Sequence, residues 1–173
     1  MTYSKNILEV KRKAIIMGLC GEYRTKWDNA KTNKDLIAMA SDLNGADFVC
    51  SSISRHWGVD DEFIKKHFSS YINGSYTHEH KGYKSAIYVD YKEEIECRVT
   101  ILIVLCSKCT IHIPRGHYCH IFIAGENSEI RLISDGYAKV HKYNGKIEEV
   151  LKQSPESIVY IDPSEDKESW LNF

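Results

Sequence analysis

The spacing of apolar residues divides the chain into two regimes. Up to about residue 76 they recur every three or four positions, the period of an amphipathic helix. Ile7, Leu8, Lys11, Ala14, Ile15 and Gly18 fall on one stripe, with Gly21 placed to stop it. A second helix is predicted from Thr32-Asn33, with Asp35 in its first turn. It runs through Leu36, Ile37, Met39, Ala40 and Leu43 to Asn44-Gly45. A third covers Ala46 to Trp57 and ends at Gly58. A fourth runs from an Asp60 cap through Phe63, Ile64, His67, Phe68 and Tyr71 to Asn73-Gly74. Helices this short need packing to hold them.

From Ser85 onward the period becomes two. Ile87, Val89 and Tyr91 alternate with polar neighbours, as do Ile95, Cys97, Val99, Ile101, Ile103 and Leu105. A longer rhythm follows: Ile101, Ile111, Ile121, Ile130 and Val140, at spacings of 10, 10, 9 and 10. A second apolar residue stands two places later at Ile103, Ile113, Ile123 and Leu132, and Lys142 breaks the series. Ser107-Lys108, Arg115-Gly116, Gly125-Glu126, Asp135-Gly136 and Asn144-Gly145 supply turns between the strands.

Two architectures fit short strands at this spacing: an antiparallel meander, or a parallel β-solenoid with two strands and 19 or 20 residues per coil. The solenoid explains why the inward pair stays in register while the turns differ, so it is the expected arrangement. The helices would then cap one end of it and protect its open edge. Ile147 to Leu151 reads as a helical turn or a strand, and Ile158 to Ile161 as a strand. The fold class is therefore α+β, with a helical region over 1–76, a β-repeat region over 77–161 and an acidic tail over 162–173. Trp170, Leu171 and Phe173 suggest that the tail docks on this chain or on a partner.

Composition narrows the function classes. The chain has 173 residues, 23 Lys+Arg against 24 Asp+Glu, and 43% apolar residues, which suits one compact unit and excludes a uniformly basic nucleic-acid binder. The N-terminal half is slightly positive and the C-terminal half slightly negative. The longest apolar run, Val99 to Cys106, is far short of the roughly 20 residues of a membrane-spanning helix. Lys11-Arg12-Lys13 followed by Ala14 to Cys20 looks like a leader, but its apolar part is short and Leu19 is bulky for a cleavage site. A cytoplasmic protein is expected, and with it free thiols for the six cysteines.

Three constellations could carry chemistry. Cys106, Cys109, His117 and Cys119 crowd soft ligands together, and a Cys-x2-Cys pair can hold zinc from one turn. Against that stands strand parity: Cys97, Cys109 and Cys119 share the parity of the apolar stripe and would fill the core, while His112 points out. Cys106 is the open case. The segment 46–74, with Gly58 between two helices, matches part of a helix-turn-helix; the Asp60-Asp61-Glu62 start of the reading helix would repel phosphates. His78-Glu79-His80, with His56 and His67 earlier, could bind metal from a strand, but sits in what reads as a polar connector. No phosphate loop, nucleophile elbow or paired-carboxylate motif appears, so no catalytic residue and no cofactor is assigned.

Trp57-Gly58, then Phe68-Ser-Ser-Tyr71-Ile-Asn-Gly74, with the ten-residue repeat behind them, resembles small uncharacterised proteins of Bacteroidales genomes over roughly residues 5–145. Those proteins often sit in prophages or other mobile elements, and the resemblance implies an accessory protein with no assigned site. The expected function is a non-enzymatic binding or assembly module, self-associating or taking another partner, since Tyr83, Tyr88, Tyr91, Tyr118, Tyr137 and Tyr143 suit interfaces. Its partner would be a protein or a second copy, with neither nucleic acid nor membrane. The alternatives are DNA binding through 46–74 and zinc binding through the Cys106–Cys119 cluster.

Overall fold

The computed structural model describes residues 21–30, 32–56, 60–72, 76–80 and 82–163. The helix expected over Ile7–Gly18, Cys20, the Trp57-Gly58 and Asn73-Gly74 ends, and the tail's Trp170, Leu171 and Phe173 lie outside them. Four helices come first: α1 Gly21–Asn29, α2 Asn33–Met39, α3 Leu43–Ser54 and α4 Asp61–Ile72. Ten strands follow: β1 Tyr76–His80, β2 Tyr83–Val89, β3 Glu94–Glu96, β4 Ile101–Leu105, β5 Lys108–Ile113, β6 Tyr118–Ala124, β7 Glu129–Ser134, β8 Tyr137–Lys142, β9 Lys146–Lys152 and β10 Ile158–Pro163.

The strands wind a parallel β-solenoid, as the repeat predicts. Sheet A runs β1-β2-β4-β6-β8-β10 and sheet B β3-β5-β7-β9. Every pairing is parallel except that of β1 with β2. Between the sheets, like side chains stack coil upon coil. Ala86, Leu102, Ile121 and Val140 form one ladder from sheet A. Ile95, Ile111, Leu132 and Val150 form another from sheet B. Cys97, Cys109 and Cys119 belong to this interior, as their parity requires.

One register reading is corrected. Ile101 and Ile103 do not join the interior ladder; Leu102 and Val104 do. All five residues of β4 are buried, because the strand has apolar layers on both sides. A continuous apolar run carries no parity, so the period could not say which face is which.

The other face of β4 explains the helices. Ile101, Ile103 and Leu105 join Ile87, Val89, Phe122 and Ala124 in a second core with Ile37, Ala46, Cys50, Ile53 and Ile64 from the helices. α3 lies over β4 and β6, and α4 over β2. The helices therefore cover the outer face of sheet A rather than one end of the solenoid, and the edge of β2 is covered by β1. This also overturns the connector reading of His78-Glu79-His80: the segment is in β1, paired with β2 through a hairpin in which Gly82 has φ +80°.

Helix boundaries follow local chemistry. Thr32 and Asp35 form the capping box that starts α2. Asp42 caps α3 by accepting from the Gly45 N–H at 2.8 Å, so Asn44-Gly45 opens a helix instead of ending one. Asp60 does the same for Phe63 at 2.8 Å. Gly21, expected to stop the preceding helix, is the first described residue of α1.

Where sheet A hands the chain to sheet B, equivalent residues of successive coils take left-handed backbone: Asp90 (φ 52°), Cys106 (φ 53°) and Gly125 (φ 113°). The corner is closed by stacked serines. Ser107 Oγ accepts from the Tyr91 N–H at 3.0 Å, and Ser128 Oγ from the Ser107 N–H at 3.3 Å. Among the described residues, no helix is long and apolar enough to cross a membrane.

Candidate functional site

The cysteine and histidine cluster is divided by sheet A. Cys106 faces the helices and is buried with Cys50. Burial and the neighbouring Asp61 carboxylate push its thiol up. Cys109 points into the solenoid, where burial pushes it up to about 12. Cys119 also points inward and hydrogen-bonds to Cys97, which, with burial, raises the Cys119 thiol. His117 lies at the β5–β6 corner with Nε2 2.9 Å from the Val99 carbonyl. The structure thus brings Cys119 to Cys97, and leaves Cys106 on the far side of the sheet. Among the described residues, no group of three or more His, Cys, Asp and Glu is placed to hold a metal. His112 does point out, 3.6 Å from Glu94. His56 lies 3.2 Å from Glu126.

The two outer faces differ sharply. Sheet B carries charge that is paired across strands: Lys108 with Glu129 at 2.8 Å, and Arg131 with Glu149 at 2.7 Å. Such a face is satisfied by itself and by water. Sheet A carries aromatic and aliphatic residues, and the helices lie over only its earlier strands. Register fixes three rows across β6, β8 and β10, of which the helices cover the Phe122 end of β6. Tyr118, Tyr137 and Ile158 form the first; His120, Lys139 and Tyr160 the second; Phe122, His141 and Asp162 the third. Exposure of Tyr118 (45%), Tyr137 (37%), Ile158 (51%) and Tyr160 (54%) makes this an apolar patch open to solvent.

Internal contacts tie the β6 and β8 side chains together. Tyr118 and Tyr137 stack with centroids 4.9 Å apart. Tyr118 Oη is 2.6 Å from His120 Nε2, and His120 Nδ1 is 3.0 Å from His141 Nε2. The imidazoles are 13° from parallel with centroids 5.3 Å apart, so they meet nearly edge to edge. One nitrogen must donate and the other accept; two imidazolium rings would set N–H against N–H. His141 also stacks on Phe122 at 4.4 Å. At the helix boundary the Tyr143 hydroxyl donates to Asp47 of α3.

No family model, curated protein or solved structure matches the chain.

Burial, His120 and Lys139 together hold His141 down at about 4. The sign follows. The unfolded chain takes up a proton near pH 6.5, while native His141 stays neutral until about pH 4, so acidification through this window favours unfolding. His141 is half-exposed, which reduces the loss to about 1–2 kcal/mol. The thermal midpoint should fall between pH 7 and pH 4.5, and fall less in His141→Phe. Equal falls in both proteins would show that the pair does not titrate this way.

Of the tyrosines singled out by sequence, Tyr118 and Tyr137 are in the patch. Tyr143 is buried beneath the helices, and Tyr88 and Tyr91 pack against the solenoid interior, ring to ring at 4.9 Å. His120, His141, Ile158 and Tyr160 were missed. Their only signal is a separation close to one coil from residues already noted.

Proposed function

We propose that the chain is a non-enzymatic binding and assembly module whose contact surface is the uncovered part of sheet A. The observation that carries this is the contiguous exposure of Tyr118, Tyr137, Ile158 and Tyr160 on a rigid parallel sheet. Tyrosine brings large contact area with little rotamer entropy to lose, and a hydroxyl to satisfy polar partners at the rim. Large exposed apolar patches on such a scaffold mark interaction sites. The ion-paired outer face of sheet B supplies the contrast within the same molecule. An accessory protein of a phage or mobile element is the setting suggested by the sequence resemblance.

Photo-crosslinking tests the reading. A benzophenone amino acid at position 137 should give a discrete adduct in cells, and the same group at position 110 on sheet B should give none. No discrete adduct from 137, or the same adduct from both positions, would count against it.

A further inference from the structure

The solenoid's last described strand has an edge that no other described strand covers. Ile158 donates its N–H to the Gly136 carbonyl at 3.0 Å, so residues 158, 160 and 162 turn their backbone groups toward β8. Val159 and Ile161 therefore turn theirs away from it. The next residue of that parity is Pro163, which has no N–H to offer. The outward edge of β10 thus presents two donors and stops at a proline. Ile158-Val-Tyr-Ile161 is uncharged, β-branched and aromatic, and among the described residues nothing pairs with its outward edge. Ile161 has the parity of the interior ladder, opposite Val140, yet is 38% exposed.

The neighbouring edge is built differently. β9 carries Lys146, Glu148, Glu149 and Lys152, a charge sequence that reads plus, minus, minus, plus. Laid antiparallel on itself, it sets Lys against Lys and Glu against Glu, which disfavours self-pairing. β10 is uncharged from Ile158 to Ile161, with Asp162 and Pro163 only at its end, and it begins a coil that no described sheet B strand completes. It stands half a coil beyond β9, so joining β10 edges does not force the two β9 strands together.

We propose that β10 pairs antiparallel with β10 of a second copy, about a twofold axis at Tyr160. The proposal rests on reading the chain as an assembly module, and it names the partner and the strand. In this register Val159 lies opposite Ile161 of the second copy and Ile161 opposite its Val159. Inward residues meet inward residues, and both free N–H groups of each chain reach carbonyls of the same two positions. No like charges face each other, since the remaining pair sets Ile158 against Asp162. Each sheet A then runs on into the other, joining the two tyrosine patches across the axis. The same segment serves both sides, so the contact closes at two copies and does not propagate.

Sedimentation of the full chain over a wide concentration range is the test. The wild type should approach twice its 19.9 kDa mass. Ile161→Pro removes an N–H that points away from β8, so it should leave the circular dichroism unchanged and give monomer at every concentration. Ile161→Lys guards the edge by charge and should do the same even if the proline variant is unstable. Tyr137→Ser, on the face and not the edge, should still dimerise. A monomeric wild type, or dimers in both Ile161 variants, would overturn the proposal. Crosslinking from position 137 to another protein would survive that outcome, so failure of the edge is distinguishable from failure of the binding surface.

Discussion

Gly45→Ala should cost the protein about 2–3 kcal/mol and lower its thermal midpoint by roughly 5–10 °C. Gly45 stands in the first turn of α3, where α2 ends against it. A Cβ built there lies 1.9 Å from the Met39 carbonyl oxygen and 2.9 Å from its carbon. The obstacle is backbone, so no rotamer change relieves it, and α2 and α3 must part. Alanine's better helix propensity returns only about 1 kcal/mol. The damage should spread, because α3 also seals the outer face of β4 and β6. Circular dichroism melts measure the loss. A midpoint within about 2 °C of wild type, the shift expected for less than 1 kcal/mol in a chain of this size, would show that the helices do not meet as closely as this.

Ile121→Ala should have an effect of similar or greater size, about 2–5 kcal/mol. Ile121 is fully buried and stacks between Leu102 of the coil before and Val140 of the coil after. Truncation opens a cavity at the centre of a ladder, with neighbours fixed on both sides by parallel hydrogen bonds. The matching change at Ile161, which has a ladder neighbour on one side only, should cost less than half as much in the monomer. Denaturant unfolding of the two variants gives the comparison. Equal losses would mean that coil-on-coil stacking is not what holds the interior.

The solenoid was legible because Ile111, Ile121, Ile130 and Val140 keep one spacing while the turns between them vary. That regularity is what stacking demands. The position of the helices was not legible. Sequence marks an amphipathic stripe but not the surface it meets, and the surface is the outer face of β2, β4 and β6. The same fact hid the true register of β4, whose residues are apolar on both sides. Parity placed Cys97, Cys109 and Cys119 correctly in the interior, while Cys106 escaped it because its backbone turns left-handed at a corner. The His120–His141 contact was invisible for a different reason. The residues are 21 apart, and only a nineteen-residue coil with a diagonal step across two strands brings their rings together. Tyr118 and Tyr137 were noted as tyrosines suited to interfaces, but nothing local said that they stack.

The outer rows of sheet A grow coil by coil. Each coil adds one position to every outer row, and the helices hold only the earlier coils. A gain or loss of a whole coil beyond β6 would therefore widen or narrow the aromatic surface by one strand spacing, about 4.8 Å, without disturbing the helical layer. The protein is in this sense a ruler: its anchored end is fixed by helix packing, and its reach is set by counting turns.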